Sequence, residues 1–343
     1  MSADLVTTPL DAEDGNPGLV FEATLDALYE GRRAALAVVL ETEGSTYTRA
    51  GTVVLFSDHG HVGWLSGGCL EPEIERRAMQ AVDGNTLAWM EIDTRDDDAL
   101  FAGNAVGCRG RQRVVLIPLA ALAGIDGVFG RWLRGEGTLE LRLHSDGALQ
   151  WRCGAMRLSH DIASPPVDWE APRAEWQLQW RRAPRVVVLG AGPEAAPLLP
   201  LLRGLGWRVE IHEPRERWRE RLAVVATPDQ RSGATGGSST DCRTRWTNAP
   251  LPDAVLVMHH NFELDREALD ALAATAIPFI GLLGPGRRRD DLFTVLSPET
   301  RASLSPRLRS PIGLGLGGRG PEAIALSIAA QLQAWRHGVP ELP

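Results

Sequence analysis

Short unbroken apolar runs recur in the second half of this chain. Val186 to Leu189, Asp253 to Met258 and Pro278 to Leu283 each end in glycine, histidine or polar residues, the pattern of strands buried on both faces in a parallel sheet. Helical stretches alternate with them, from Pro193 to about Arg203, Leu264 to Ala274 and Ala323 to Trp335. In the first half, Val20 to Arg33 places Phe21, Leu25 and Leu28 on one helical face, with Gly31 ending it. A strand follows over Ala35 to Leu40. Thr52 to Phe56 and His61 to Leu65 pair across Asp58-His59-Gly60, and a helix starts near Leu70. Leu87 to Ile92 and Arg113 to Ile117 are further strands, and Val128 to Arg134 is a short helix. Thr138 to Leu143 and Ala148 to Arg152 form a hairpin across Ser145-Asp146-Gly147. Residues from Ser159 to Arg173 carry Pro165, Pro166 and Pro172 without periodicity, with Trp176, Leu178 and Trp180 as a strand or docking segment beyond them. The expected layout is a mixed α+β domain over 1–158, a linker over 159–183 and a Rossmann-like parallel-sheet domain over 184–343, an α/β protein overall.

The strongest local signal is RVVVLGAGPEAAPLLPLLRGLGWRVEIHEPRERWR, residues 185–219. A strand runs into Gly190-Ala191-Gly192, and Pro193 takes the first helical position, where its missing N–H is harmless. Trp207 to His212 then form a second strand that closes on Glu213. This acid lies about 20 residues past the glycines, where it can accept from a ribose hydroxyl. Ala195 fills the third glycine slot. Gly190, Gly192, Ala195 and Glu213 suit NAD, and Arg215 could tolerate a 2′-phosphate.

Composition narrows the chemistry. The 343 residues carry a net charge of −8, which disfavours non-specific binding to nucleic acid or anionic membranes. No run reaches the ~18 apolar residues of a membrane span. The polar, acidic start reads as the reverse of a signal peptide, so a cytoplasmic location is expected. No lysine is present. Schiff-base chemistry and a Walker-A lysine are therefore excluded, and anions must be held by arginine, backbone N–H or helix ends. The four cysteines, Cys69, Cys108, Cys153 and Cys242, form no C-x-x-C pair.

Two of these cysteines have glycine frames. Ser66-Gly67-Gly68-Cys69-Leu70-Glu71 turns from a strand into a helix, a position that makes a thiolate available as nucleophile or metal ligand. Glu71, Glu73 and Glu75 oppose ionisation, and a small buried core cysteine is the competing reading. Cys108 lies in the glycine-spaced stretch from Phe101 to Gly110. Arg49 sits between glycines in the hydroxyl-rich loop from Glu43 to Gly51. The acids from Asp93 to Asp98 read as a solvated loop rather than a metal cluster. At the carboxyl end of a strand, His259 and His260 face a ligand or brace a loop, with Asn261 and Asp265 nearby. Arg287, Arg288 and Arg289 follow a strand in a basic glycine loop and make either a phosphate contact or an exposed loop. Gly313 to Gly320, including Gly317 and Gly318, precedes a proline-started helix and forms a second potential anion cradle with Arg319.

ETEGSTYTRAG, GWLSGGCLEPEI and DDDALFAGNAVGCRGRQRVVLIPL, followed by GAGPEA, MHHNFELD, FIGLLGPGRRR and SPIGLGLGGRGPEAIALSIAAQL, resemble the XdhC/CoxI family in order and approximate spacing. Family members read closer to Gly-Leu-Gly-Cys-Gly-Gly where this chain has Asn104 to Gly110 around the retained Cys108. Glu194 also departs from the pattern, and an acid there would repel a pyrophosphate. The resemblance implies a maturation factor for xanthine dehydrogenase and related molybdenum hydroxylases, a chaperone rather than a catalyst. Such a protein binds the molybdenum cofactor, as molybdopterin or its cytosine dinucleotide form. It assists sulfuration with a cysteine desulfurase and hands the cofactor to an apo-hydroxylase. On this reading Cys69, then Cys108, are soft ligands for molybdenum or carriers of sulfur. Arginines and glycine loops of the second half hold phosphates, and a homodimer is compatible. The competing expectation is an NAD(P)-dependent oxidoreductase with His259 or His260 moving the proton. The Rossmann unit by itself does not decide between these.

Overall fold

The structure, a computed structural model, describes residues 10–11, 15–68, 70–95, 109–225 and 250–340. The chain divides into two compact units, one up to Ala183 and one from Pro184 onward.

The first unit contains β1 (Leu10–Asp11), α1 (Pro17–Tyr29), β2 (Ala34–Gly44), β3 (Val53–Ser57), β4 (Gly60–Val62), α2 (Glu71–Gly84), β5 (Ala88–Asp93), β6 (Gly110–Pro118), α3 (Ile125–Leu133), β7 (Leu139–His144), β8 (Ala148–Cys153), β9 (Met156–Asp161) and β10 (Glu175–Trp180). An antiparallel sheet runs β4-β3-β2-β6-β5. Alternation along β2 sends Ala35, Ala37 and Val39 to the face covered by α2, and Leu36, Val38 and Leu40 to the opposite core. A second sheet runs β1-β10-β7-β8-β9, antiparallel except for β1 beside β10. Its inner face shares one core with α1, α3 and the first sheet. Phe21 of α1 is the hub, with ring centroids 4.5 Å from Phe129, 5.2 Å from Trp132 and 5.8 Å from Trp180. The Trp180 indole N–H donates to the Gly51 carbonyl at 2.8 Å, which fastens the loop after β2 to the second sheet.

The expected linker over 159–183 is not a free tether. β9 occupies its start, and β10 pairs with β7 along its whole length. Trp176, Leu178 and Trp180 are buried in the shared core, so hydrophobic burial draws this stretch into the first unit.

The second unit contains β11 (Arg185–Leu189), α4 (Ala195–Gly204), β12 (Arg208–His212), α5 (Glu216–Val225), β13 (Ala254–Val257), α6 (Phe262–Ala273), β14 (Phe279–Leu282), α7 (Gly286–Val295), α8 (Pro298–Leu304), β15 (Leu308–Arg309) and α9 (Pro321–Arg336). Among the described residues the sheet is parallel throughout, in the order β12-β11-β13-β14-β15. Val186 and Val188 face α4 and α9, while Val187 and Leu189 face α6, α7 and α8. Burial on both faces explains the unbroken apolar runs. The chain leaves β11 on one side for β12 and returns on the other for β13. The crevice between the ends of β11 and β13 is thus the topological switch point, where open α/β sheets place ligands. The α/β class and the Rossmann-like second domain stand as expected.

Candidate functional site

Two glycine turns carry the candidate chemistry, one in each unit. In the second unit, Gly190 has φ +107°, and a Cβ there would lie 2.5 Å from the Met258 carbonyl oxygen. Glycine therefore lets the ends of β11 and β13 meet backbone to backbone. Glu213, fully buried at the end of β12, accepts from the Ala191 N–H at 2.8 Å and the Arg215 N–H at 2.9 Å. The Arg215 guanidinium grips both of its oxygens at 2.7 Å. Burial pushes the Glu213 carboxyl upward, but the Arg215 side chain and the two backbone donors outweigh it and hold the group below the ordinary range. Arg215 also lies over the Trp218 ring, 5.5 Å from its centroid. With two donors on each oxygen, the acceptor capacity of Glu213 is filled from within the chain. Glu213 and Arg215, expected to meet a ribose and its 2′-phosphate, meet each other.

The two histidines after β13 are held by different acids. His260, at φ +55°, places Nε2 2.9 Å from Glu194 Oε2. A Cβ on Gly192 would lie 2.8 Å from that Nε2 and 2.9 Å from that Oε2, so the pair sits directly on the glycine. His259 turns inward and places Nδ1 3.0 Å from Asp265 Oδ1. The other Asp265 oxygen accepts from Arg288. Arg287 to Arg289 are not a glycine loop: they form the first turn of α7. Asp265 is 1% exposed, and a buried carboxylate requires a paired cation, which directs Arg288 inward. Arg287 projects into solvent, and Arg289 pairs with Asp290 and reaches the Ser310 carbonyl. Gly315, Gly317, Gly318 and Gly320 form an exposed loop ahead of α9, whose N-cap, Gly320, provides no side-chain hydrogen bond.

The first unit has a different turn. Glu71, at the start of α2, is buried and accepts from the Leu65 N–H at 3.3 Å, the Ser66 N–H at 2.7 Å and the Ser66 hydroxyl. Ser66 Oγ in turn accepts from the Gly68 and Leu70 N–H groups, each at 3.2 Å. Burial raises the Glu71 carboxyl, yet the Ser66 hydroxyl and the backbone donors bring it below its ordinary value. Gly67 and Gly68 are exposed, and among the described residues no heavy atom beyond each glycine's chain neighbours lies within 4 Å of a Cβ built on it. Cys69 and Cys108 lie outside the described residues, as does Cys242. Cys153 is buried in the core, and burial pushes its thiol upward.

The described flanks of Cys69 and Cys108 are tied to one turn. Ser45 N–H donates to the Arg109 carbonyl at 2.9 Å, and a Cβ on Gly110 would lie 2.6 Å from the Ser45 carbonyl oxygen. Thr46 bonds the Thr48 carbonyl, Thr48 reaches the Leu65 carbonyl at 3.4 Å, and Gln112 donates to Thr48 Oγ1 at 3.2 Å. The hydroxyls of this loop therefore link the segment beside Cys69 to the segment beside Cys108. Arg49 belongs to the same loop, and its carbonyl accepts from the Thr52 N–H at 3.1 Å. Tyr47 and Trp64, each one residue before a partner in the Thr48–Leu65 contact, are exposed.

Sequence reasoning misses a charged ladder beside this loop. Beyond a bulge between Val39 and Glu41, the rungs read Glu41–Arg113–Glu91 and Glu43–Arg111–Asp93 across β2, β6 and β5. Arg113 is 4% exposed and spends its donors on Glu91, Glu41 and the Glu170 carbonyl, with Trp169 over its guanidinium. The Trp176 indole donates to Glu41 at 2.6 Å. Glu41, Thr42, Glu43, Ala50, Arg111, Arg113 and Arg173 line a cavity of about 440 Å³. Its arginines are matched by carboxylates, so it braces the 170–176 segment rather than presenting free positive charge. The alternation of acid and arginine in Glu41, Glu43, Arg111 and Arg113 is the signal that could have revealed it. Asp93 is drawn down to about 2 by hydrogen bonds from Arg95. Among the described residues no three His, Cys, Asp or Glu side chains form a metal-binding group, and no helix is long and apolar enough to cross a membrane.

Residues 186–332 match the XdhC Rossmann domain, and residues 27–91 match the XdhC and CoxI family. The chain belongs to the XdhC/CoxI family. A probable xanthine dehydrogenase subunit of Bacillus subtilis (strain 168) is 26% identical over 345 positions, covering 91% of this chain and 96% of that one. A crystal structure of a xanthine dehydrogenase from Bacillus halodurans shares 25% identity at a TM-score of 0.75, covering 94% of this chain and 96% of that chain. The uncharacterized protein YqeB of Escherichia coli (strain K12) is 28% identical over 160 residues, 46% of this chain and 28% of that protein. In this XdhC/CoxI chain, then, the glycine turn that no described side chain covers lies in the first unit, and the filled crevice in the Rossmann unit.

Proposed function

We propose that this chain is an accessory factor that holds a molybdopterin-type cofactor at the first unit's glycine turn, assists its sulfuration and passes it to an apo-hydroxylase of the xanthine dehydrogenase type. Membership of the XdhC/CoxI family and the relatives named for xanthine dehydrogenase support the accessory role. The observation that carries the finer reading is the shared tether: one hydroxyl-rich turn anchors the flanks of both Cys69 and Cys108. The cofactor is cargo, bringing molybdenum and an anionic pterin to the site.

The residues divide the work by chemistry. Cys69 and Cys108 would supply thiolates, soft ligands that suit molybdenum or accept sulfur from a cysteine desulfurase. Glu71 and Ser66 consume the N–H groups of Leu65, Ser66, Gly68 and Leu70, so the turn is pre-formed and its buried charge is negative. The buried negative charge of the turn would direct the cofactor's phosphate away from it and leave the thiolate-bound metal facing it. Exposed Gly67 and Gly68 leave room for a bulky heterocycle to approach.

The test is the molybdenum and pterin content of protein purified anaerobically from a molybdate-fed host. Wild type should retain pterin, Cys69→Ala and Cys108→Ala should lose it, and Cys153→Ala should match wild type. Equal retention in all four proteins would remove the cysteines from the account.

A further inference from the structure

We infer that Glu194 and His260 bar a dinucleotide from the Rossmann crevice, so that the most recognisable nucleotide motif in the chain is closed by its own side chains. A G-x-G-x-x-G/A loop works because its second glycine lets the backbone approach a pyrophosphate. Here that approach is occupied. The position of a Gly192 Cβ is 2.7 Å from His260 Cδ2, 2.8 Å from His260 Nε2 and 2.9 Å from Glu194 Oε2. The cover also carries the wrong charge, since Glu194 places a carboxylate at the start of α4, where a pyrophosphate would lie. The 2.9 Å contact between His260 and Glu194 joins the end of β13 to the start of α4 across the crevice.

The other two contacts a dinucleotide would make are also taken. Glu213 has both oxygens filled by Arg215 and two backbone N–H groups, leaving no acceptor for a ribose hydroxyl. Arg215, the cation within reach of a 2′-phosphate, is the group that fills them. Arg288 is held by Asp265 and does not offset the Glu194 charge. Exclusion by Glu194 and His260 is independent of the cofactor reading, because it concerns only nucleotide binding to the second unit.

The experiment is calorimetric titration of the full-length chain with NADH and, separately, with ADP-ribose. Wild type, Glu194→Gln and the double variant Glu194→Ala/His260→Ala are compared. The expected result is no saturable binding by wild type, with a gain of at least about tenfold in affinity for the double variant once the like charge and the cover are gone. Glu194→Gln keeps the side-chain volume and the contact to His260 while removing the charge, so it should gain less than the double variant. It also stands in if the double variant unfolds, since any gain over wild type then supports charge exclusion. Wild-type binding as tight as that of the double variant would overturn the inference. So would an absent gain in a double variant whose circular dichroism and melting match wild type. An absent gain in Glu194→Gln, where it stands in, would do the same.

Discussion

The two glycine turns use the same device to opposite ends. Each is held by a buried carboxylate that accepts backbone N–H groups: Glu71 beneath Gly67-Gly68 and Glu213 beneath Gly190-Ala191-Gly192. Around Glu213 the charge is cancelled by Arg215, and the space over Gly192 is filled by Glu194 and His260. Glu71 is held by a hydroxyl and backbone N–H groups rather than by a cation, and among the described residues none beyond the chain neighbours comes within 4 Å over Gly67 or Gly68. A strong motif therefore marks the fold, whereas open surface beside fixed polar groups marks where a ligand has room. The Rossmann signature and the proposed cofactor site fall in different units.

Substitutions sharpen this contrast. Glu213→Ala strands the Ala191 N–H in a buried setting and leaves the part-exposed Arg215 guanidinium without its carboxylate, and should cost about 3 kcal/mol in urea unfolding; a loss under about 1 kcal/mol would mean that water replaces the carboxylate. Gly190→Ala forces an L side chain to φ +107° and against the Met258 carbonyl, with an expected loss of about 2 kcal/mol on the same assay. Glu71→Ala should cost about 1.5 kcal/mol by orphaning the Leu65 and Ser66 donors. Because folding lowers the Glu71 carboxyl below its ordinary 4.5, its stabilisation is complete above that value and fades as pH falls through the folded one. Glu71→Gln should accordingly flatten the acid limb of the stability curve, and an unchanged limb would contradict the assigned partners. Gly67→Ala, with no described atom beyond the chain neighbours within 4 Å of its Cβ, should stay within about 0.5 kcal/mol of wild type.

How much of this is legible in the sequence depends on burial. Strands covered on both faces, such as Val186 to Leu189, announce themselves because every position must be apolar. The tail of β2 does not, since Glu41 and Glu43 pair with Arg113 and Arg111 where apolar residues would ordinarily stand, and polar alternation reads as loop. β9 is hidden for a related reason: it is half-exposed, and Ser159 and Asp161 dilute its pattern. The basic run Arg287 to Arg289 reads as a loop because Pro285 and Gly286 precede it, yet Pro285 is the N-cap of α7. The glycine turns and Glu213 are visible in the sequence, but their partners are not. Arg215 gripping Glu213 and His260 closing on Glu194 depend on side-chain directions set by the crevice, over separations of 2 and 66 residues.

The central claim is that cargo binds the first unit's open turn and leaves the Rossmann crevice untouched. Amide hydrogen exchange on the full chain, with and without bound molybdopterin cofactor, tests it most directly. The account predicts new protection over residues 44–51, 65–71 and 109–111, with residues 190–195 unchanged. Protection concentrated at 190–195, with the first unit unaltered, would contradict it.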